Sequence, residues 1–590
     1  MFDKITYITD NGASIRIKED AEVVEDLMNM HVLFEDNEKK VLAEIENIDN
    51  NIVGTKFLGE VVGDKFVTGI IRKPSLKSTV RIITREEFAL LVTQESDNAI
   101  LLGHSPLYND YPIRVNVNAM FSNHLAIFGN TGSGKSCGVA RILQNLFNCP
   151  GFLPYNANFI IFDSTGEYKN AFSNINALDP NYRYNLYSTS DEVTDKAEKL
   201  RIPLWLLTID DFALLLSATN HTQIPIIERM VQLVNIFQSP DINVEAFKDH
   251  LIAKAIMSIL YSNETSAKKR DDIFSILTTC STNNFSLETE IMGIGYSRRF
   301  RECFAIDSIG QFAESVLITK YVAEFIKEEF DDLNLSKINY FTLEDLEVAL
   351  NFTLISEGWL KNEKTYGDAI TLKVRLHTLI TGGYARFFRL DRFIDKRTYL
   401  YDLLFDNNGR KYQVINFNLE DVDDAFAKVL AKIFSRIVFD FAKRLEQRAS
   451  IPFNIILEEA HRYIQNDNDN FLLGYNIFDR ISKEGRKYGV MLTLVSQRPV
   501  EISDTVISQC SNFLIFKMNH PRDVEYIRKM VPNINSEIVD KQKVLQVGHC
   551  VGFGQAFKVP TIIRMQLPDP LPQSNNADVY ARWTYQKREE

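Results

Sequence analysis

The apolar run Leu125-Ala126-Ile127-Phe128 leads straight into Gly129-Asn130-Thr131-Gly132-Ser133-Gly134-Lys135-Ser136. Beyond it, Val139, Ile142, Leu143, Leu146 and Phe147 recur at helical spacing. A buried strand, a glycine turn and an amphipathic helix in that order predict an α/β fold. The glycines let successive backbone N–H groups point inward, and the helix N-terminus adds its dipole, so the loop suits phosphate oxygens. Lys135 is expected to reach the β- and γ-phosphates and Ser136 to ligate Mg²⁺. Gly129, Asn130, Thr131, Gly132, Ser133, Gly134, Lys135, Ser136 and Cys137 are therefore the expected ATP contacts. A chance glycine turn would not need both the strand and the helix.

A second apolar strand, Phe453-Asn454-Ile455-Ile456-Leu457, ends in Glu458-Glu459-Ala460-His461. Carboxylates at such a strand end belong beside the metal held by Ser136. Because strand side chains alternate faces, the two glutamates are expected to divide labour. Glu458 would hold the Mg²⁺ and Glu459 would polarise the attacking water. The strand at 490–495 delivers Ser496-Gln497-Arg498-Pro499, where Gln497 is placed to sense the γ-phosphate. Just upstream, Glu484-Gly485-Arg486-Lys487-Tyr488-Gly489 offers a guanidinium suited to charge spread over the γ-phosphate. Arg486 is expected to act on an adjacent subunit's nucleotide; Lys487 is the weaker choice because it lacks the planar fork.

Short β-prone runs at 5–8, 13–17, 53–62, 66–71, 78–83 and 113–117, punctuated by glycine, suggest a small N-terminal barrel over residues 1–118. Helical spacing at 224–237, 247–260 and 314–330 marks a mainly helical insertion over 171–395. The nucleotide-binding core then takes 119–170 and 396–567, with strands near 158–163, 412–417 and 513–516 and a helix at 425–444. Residues 568–590 read as a Pro-punctuated extension bracing a neighbouring subunit. Lys268-Lys269-Arg270 is followed at once by Asp271-Asp272, which favours a solvated face over a DNA contact.

Six scattered cysteines without a C-x-x-C pair argue for a reducing compartment and against a zinc site. No basic-then-apolar leader and no membrane-length apolar run are seen, so the reading is cytoplasmic, with no membrane partner. A net charge of −12 does not advertise nucleic acid, although a motor can concentrate Lys and Arg in a pore.

Taken together, the strand and loop at 125–136, Asp163-Ser164-Thr165-Gly166-Glu167-Tyr168, Glu458-Glu459-Ala460-His461, residues 485–490, Ser496-Gln497-Arg498-Pro499 and residues 504–510 resemble the HerA branch of the HerA–FtsK P-loop ATPases, in family order. The resemblance implies a RecA-like ATPase core with an N-terminal barrel. It implies a homohexamer around double-stranded DNA that translocates by ATP hydrolysis, with partner proteins docking on the barrel. By position it makes Glu458 and Glu459 the Walker B acid and base, Arg486 the trans finger and Gln497 the sensor. Asp163, as a metal ligand, and Glu167 would line the site near the water. Asn123-His124 departs from the arginine–histidine pair of many relatives, which weakens any nucleotide contact from that position.

Two functions of different kinds follow. One is a translocase or helicase working with a separately encoded effector, a sirtuin-like NAD-consuming protein or a nuclease in antiphage defence, or a NurA-type nuclease in end resection. Abundant Asn, Ile, Lys and Phe look mesophilic and tilt the choice toward bacterial defence. The other is an ATP-gated ring scaffold that assembles the effector without productive translocation. A P-loop kinase would explain neither the trans Arg nor the adjacent glutamates, and no ABC-type Leu-Ser-Gly-Gly-Gln run is present.

Overall fold

The computed structural model describes residues 1–590 apart from 19–26, 37–38, 64, 93–96, 192–196, 331–337, 360–362, 466–472, 531–541, 574–577 and 585–590. The chain divides into two compact units: Met1–Lys199 with Asp402–Asp467 and Asn476–Glu590, and Leu200–Tyr401 with Asn468–Tyr475.

The first unit opens with β1 (Phe2–Ile8), β2 (Gly12–Ile17), β3 (His31–Glu35), β4 (Lys40–Asp49), β5 (Ile52–Val62), β6 (Lys65–Thr68) and β7 (Thr79–Ile82). They form an antiparallel sheet in the order β1-β2-β5-β4-β3-β7, with β6 on β5. Alternation buries Ile15, Val32, Phe34, Val41, Ala43, Ile45 and Val53 in one cluster. Register shifts between β4 and β5, at Leu42/Ala43 and Ile45/Asn47, bend the sheet. Among the described residues no ladder joins β1 to β7, so the curl is not closed by hydrogen bonds into the expected barrel.

β8 (Ala99–Ser105) and β9 (Tyr111–Asn116), placed by sequence with the N-terminal module, pair instead at the edge of a larger sheet. Its other strands are β10 (His124–Phe128), β11 (Phe159–Asp163), β12 (Tyr184–Ser188) and β13 (Glu198–Lys199), then, after β14 (Glu290–Gly293) and β15 (Tyr296–Arg299) of the second unit, β16 (Val414–Asn418), β17 (Phe453–Glu458), β18 (Val490–Ser496), β19 (Cys510–Phe516), β20 (His549–Gly554) and β21 (Thr561–Arg564). The 12 strands run β13-β12-β16-β11-β17-β18-β10-β19-β20-β21-β8-β9. Neighbours from β13 to β19 are parallel and those from β19 to β9 antiparallel.

Parallel strands need cover on both faces. Accordingly β10, β11, β16 and β17 are buried at every position. The helix Lys135–Phe147 sets Val139, Ile142, Leu143 and Leu146 into one cluster with Leu125, Ile127, Ile161, Ile456 and Leu514. The helix Asp424–Lys443 starts where Asp423 accepts the Phe426 N–H at 2.8 Å.

The second unit is mainly helical. The expected helices near 224–237 and 247–260 are Gln223–Phe237 and Val244–Leu260, whereas the one at 314–330 stops as Ser315–Ala323 and is followed by a 3₁₀ turn, Glu328–Phe330. The insertion's boundaries also move: β12 and β13 pair in the core sheet, so the helical unit begins at Leu200 and ends at Tyr401. Lys268 pairs with Glu264 at 3.1 Å and Arg270 with Asp271 at 3.3 Å, as a solvated face would.

The C-terminal segment lies first on its own chain. Asp569 N–H donates to Gln144 Oε1 (2.8 Å), Gln144 Nε2 to the Pro570 carbonyl (3.0 Å), and Gln573 N–H to the Glu167 carbonyl (2.7 Å). Residues 574–577 and 585–590 of the expected brace lie outside the described residues. Among the described residues no helix is long and apolar enough to cross a membrane.

Candidate active site

β10 lies between β18 and β19, with Phe128 beside Ser496 and Ile515. From its end the chain turns through Gly132 (φ 73°) and Gly134 (φ 103°) into the helix Lys135–Phe147. Both angles fall in the left-handed region that favours glycine. At Gly134 a Cβ would also stand 3.2 Å from the backbone of Gly548, whose N–H donates to the Ser133 carbonyl at 3.0 Å. The phosphate loop is thus clamped from β20's side. Lys135 is 7% exposed, and its Nζ donates to the Asn130 carbonyl at 3.0 Å. Burial lowers its pKa from the ordinary lysine value, while Glu458, Glu459 and Glu167 act to raise it. Ser136 and Cys137 sit half-buried in the first helical turn, and burial pushes the Cys137 thiol up.

Because β18 separates β10 from β17, three strand ends converge. Glu458 closes β17, is 2% exposed, and accepts the Tyr168 hydroxyl at Oε2 (2.8 Å). Burial, with Glu459 and Glu167 nearby, holds its carboxyl well above the usual range. Glu459 then leaves the strand at φ 52°. Such a non-glycine conformation costs roughly 1 kcal/mol or more and clusters at functional sites. This left-handed turn, where sequence reasoning invoked strand alternation, takes Glu459 off the strand that carries Glu458. Gln497, one residue past β18, accepts the Thr131 hydroxyl at Oε1 and so touches the phosphate loop itself.

Glu167 opens the 3₁₀ turn after β11. Asp163 builds that turn: Oδ1 accepts the Glu167 N–H (3.0 Å), and Oδ2 accepts the Tyr168 N–H (2.9 Å) and Asn416 Nδ2 (3.3 Å). Burial raises its carboxyl to about 6. Asp163, expected as a metal ligand, braces this turn through both of its oxygens. Glu167 Oε2, Glu459 Oε2 and Ser133 Oγ are buried without a hydrogen bond, although Glu459 Oε2 faces His461 Nδ1 at 3.3 Å.

Three carboxylates around one buried lysine leave the site short of positive charge. Among the described residues no group of three or more His, Cys, Asp or Glu could hold a metal unaided. The Ser136 hydroxyl and the Glu458 carboxylate are the hard oxygen donors that suit Mg²⁺, which keeps several waters and shares phosphate oxygens. The residues therefore fit a cation that arrives with its nucleotide.

Arg486 does not join this group. It is exposed in the last turn of the helix Ile477–Tyr488, at the edge of the sheet where β18 begins. Its charge helps depress His124, the first residue of β10, whose pKa burial drives down to about 4. The length of β10, about 15 Å at roughly 3.3 Å per residue, separates that edge from the phosphate loop. Asn123 and His124 lie on the same far edge: Asn123 Nδ2 donates to the Ala119 carbonyl (3.1 Å), and His124 Nδ1 accepts the Leu492 N–H (2.9 Å). They fasten strand ends.

Sequence pattern assigns no role to Tyr168, His461 or Asn416. Only burial reveals them. Tyr168 is fully buried. Tyr168→Phe is expected to cost about 2 kcal/mol of stability without divalent cation, because it strips a hydrogen bond from a buried carboxyl group. Added Mg²⁺–nucleotide should restore part of that loss, and thermal unfolding with and without it checks the point.

Residues 100–291 match the family described as Helicase HerA, central domain. A probable helicase of Methanocaldococcus jannaschii is 23% identical over 550 residues, covering 92% of this chain and 80% of the relative. The DNA double-strand break repair helicase HerA of Sulfurisphaera tokodaii is 22% identical over 524 residues, covering 88% and 78%. Among solved structures, VirB4 of Thermoanaerobacter pseudethanolicus aligns with 12% identity and a TM-score of 0.43 over 80% of this chain and 98% of that one. The strand–loop–helix at 124–147 lies within the stretch that matches the HerA central domain, and the chain is similar to archaeal HerA-type helicases over most of its length.

Proposed function

We propose that this chain hydrolyses ATP–Mg²⁺ at interfaces within a closed homohexamer and uses the cycle to drive double-stranded DNA past a separately encoded effector. The carrying observation is the position of Arg486. An exposed guanidinium a full strand's length from its own phosphate loop supports a role on another copy's nucleotide. In this reading Lys135 and the loop N–H groups bind the phosphates, Ser136 and Glu458 hold the metal, and Mg²⁺ supplies charge neutralisation when bound. Glu459 takes the proton of the attacking water, Glu167 lines its approach, and Gln497 reads the terminal phosphate against Thr131.

The effector, a sirtuin-like protein or a nuclease in antiphage defence, would dock on the N-terminal sheet. Tyr7, Val62, Val67, Ile71 and Leu76 are exposed apolar side chains there, and such surfaces mark interaction sites. Cytoplasmic placement goes with the six free cysteines.

Duplex DNA is expected to stimulate hydrolysis, and ATP to drive displacement of a protein roadblock from a DNA end. Hydrolysis indifferent to DNA, with no displacement, would overturn the motor and leave the ring as a scaffold. Lys135→Ala should abolish tight binding of a fluorescent ATP analogue, with hydrolysis falling to background.

A further inference from the structure

His461 sits where two halves of the site meet. Its Nδ1 lies 3.0 Å from Ser496 Oγ and 3.3 Å from Glu459 Oε2. Ser496 ends β18, its Oγ accepts the Arg498 N–H (3.0 Å), and its carbonyl accepts the Gly129 N–H (3.3 Å). The next residue, Gln497, is the one that accepts the Thr131 hydroxyl. An unbroken line of contacts thus runs from the phosphate loop through the tip of β18 and the imidazole to Glu459.

The chemistry at Nδ1 is restrictive. A carboxylate oxygen can only accept, whereas a serine hydroxyl can donate or accept. With its proton on Nδ1, the imidazole offers a donor to Ser496 Oγ and to the buried Glu459 Oε2, which has no other hydrogen bond. That one N–H has two acceptors and can fully satisfy only one of them. When it serves Glu459, it fixes the carboxylate despite the left-handed backbone; when it serves Ser496, Glu459 Oε2 is freed toward water.

We propose that His461 is a positioning residue for Glu459, and that its single Nδ1–H, shared between Glu459 and Ser496, ties the orientation of the base to the contact between β18 and the phosphate loop. The inference rests on the reading of Glu459 as the base and adds the partner that sets it. His461 touches neither nucleotide nor water in this scheme.

The test is steady-state hydrolysis by the full-length chain carrying His461→Leu, His461→Asn, Ser496→Ala, or His461→Leu with Ser496→Ala. An asparagine amide can stand in for Nδ1–H, whereas leucine keeps bulk and loses the donor. His461→Leu is expected to lower kcat about tenfold or more while KM for ATP stays within about twofold, since positioning a base acts on the chemical step. His461→Asn should recover most of kcat. The double variant should be no worse than His461→Leu alone, since residues in one network are not additive. A kcat for His461→Leu within about twofold of the parent, an Asn variant as poor as Leu, or additive losses would each overturn the proposal. If His461→Leu does not fold, the Asn and Ser496→Ala variants decide: both must move kcat while sparing KM, with Asn the milder. Glu459→Gln run in parallel separates the two failures. Normal hydrolysis there sinks the base assignment, while a dead Glu459→Gln beside a normal His461→Leu sinks only the role of His461.

Discussion

Glu459→Gln is expected to bind ATP at near-parental affinity and leave it uncut. The amide keeps the shape of the side chain at φ 52° and removes the proton-accepting oxygen. General bases contribute about 10²–10⁴-fold to turnover, so hydrolysis should fall by at least the lower figure. Phosphate release after mixing with Mg²⁺–ATP, read beside retention of a labelled nucleotide, checks both halves. The neighbouring Glu458 makes the prediction discriminating: its Oε2 is held by Tyr168 and it is 2% exposed, so it is poorly placed to take over. Near-normal turnover would move the base elsewhere, with Glu167, whose buried Oε2 has no hydrogen bond, as the next choice.

Arg486→Ala should cut turnover by about 10³–10⁵-fold, the range for an arginine supplied to the transition state of phosphoryl transfer, while leaving nucleotide binding intact. Its stability should hardly change, because the side chain is exposed. The decisive form of the experiment mixes it with Lys135→Ala. Each variant alone is silent, yet a mixed ring contains interfaces where an intact phosphate loop meets an intact arginine, and turnover should reappear in proportion to their number. Mixtures as inactive as their components would overturn a role for Arg486, in the last turn of the helix Ile477–Tyr488, on a neighbouring subunit's nucleotide.

Much of this site is legible in the sequence. The glycine loop, the strand ending in Glu458 and the strand ending in Gln497 each impose a local backbone order that sequence records directly. Strand β4 carries no sequence signal because Lys40, Ala43, Glu44 and Glu46 are poor strand formers, and its pairing with β3 and β5 overrides propensity. The place of β8 and β9 in the larger sheet is not legible because their hydrogen-bond partners lie far off in sequence: His104 pairs with Arg564. The resemblance makes Asp163 a ligand, whereas its bonds to the N–H groups of Glu167 and Tyr168, which brace the turn, have no signal in the sequence. The roles of Tyr168 and His461 depend on burial and on single contacts, neither of which has a spacing to be read.

The chain leaves the sheet after β13 and re-enters it at β16, with only β12 between them. Ends pinned so near each other make the enclosed stretch a graft: its length alters closure entropy only logarithmically. Whole subdomains can be gained, lost or exchanged at that seam over evolutionary time while the strands carrying Glu458, Gln497 and the phosphate loop keep their register. A designer wanting new specificity in this scaffold would cut there.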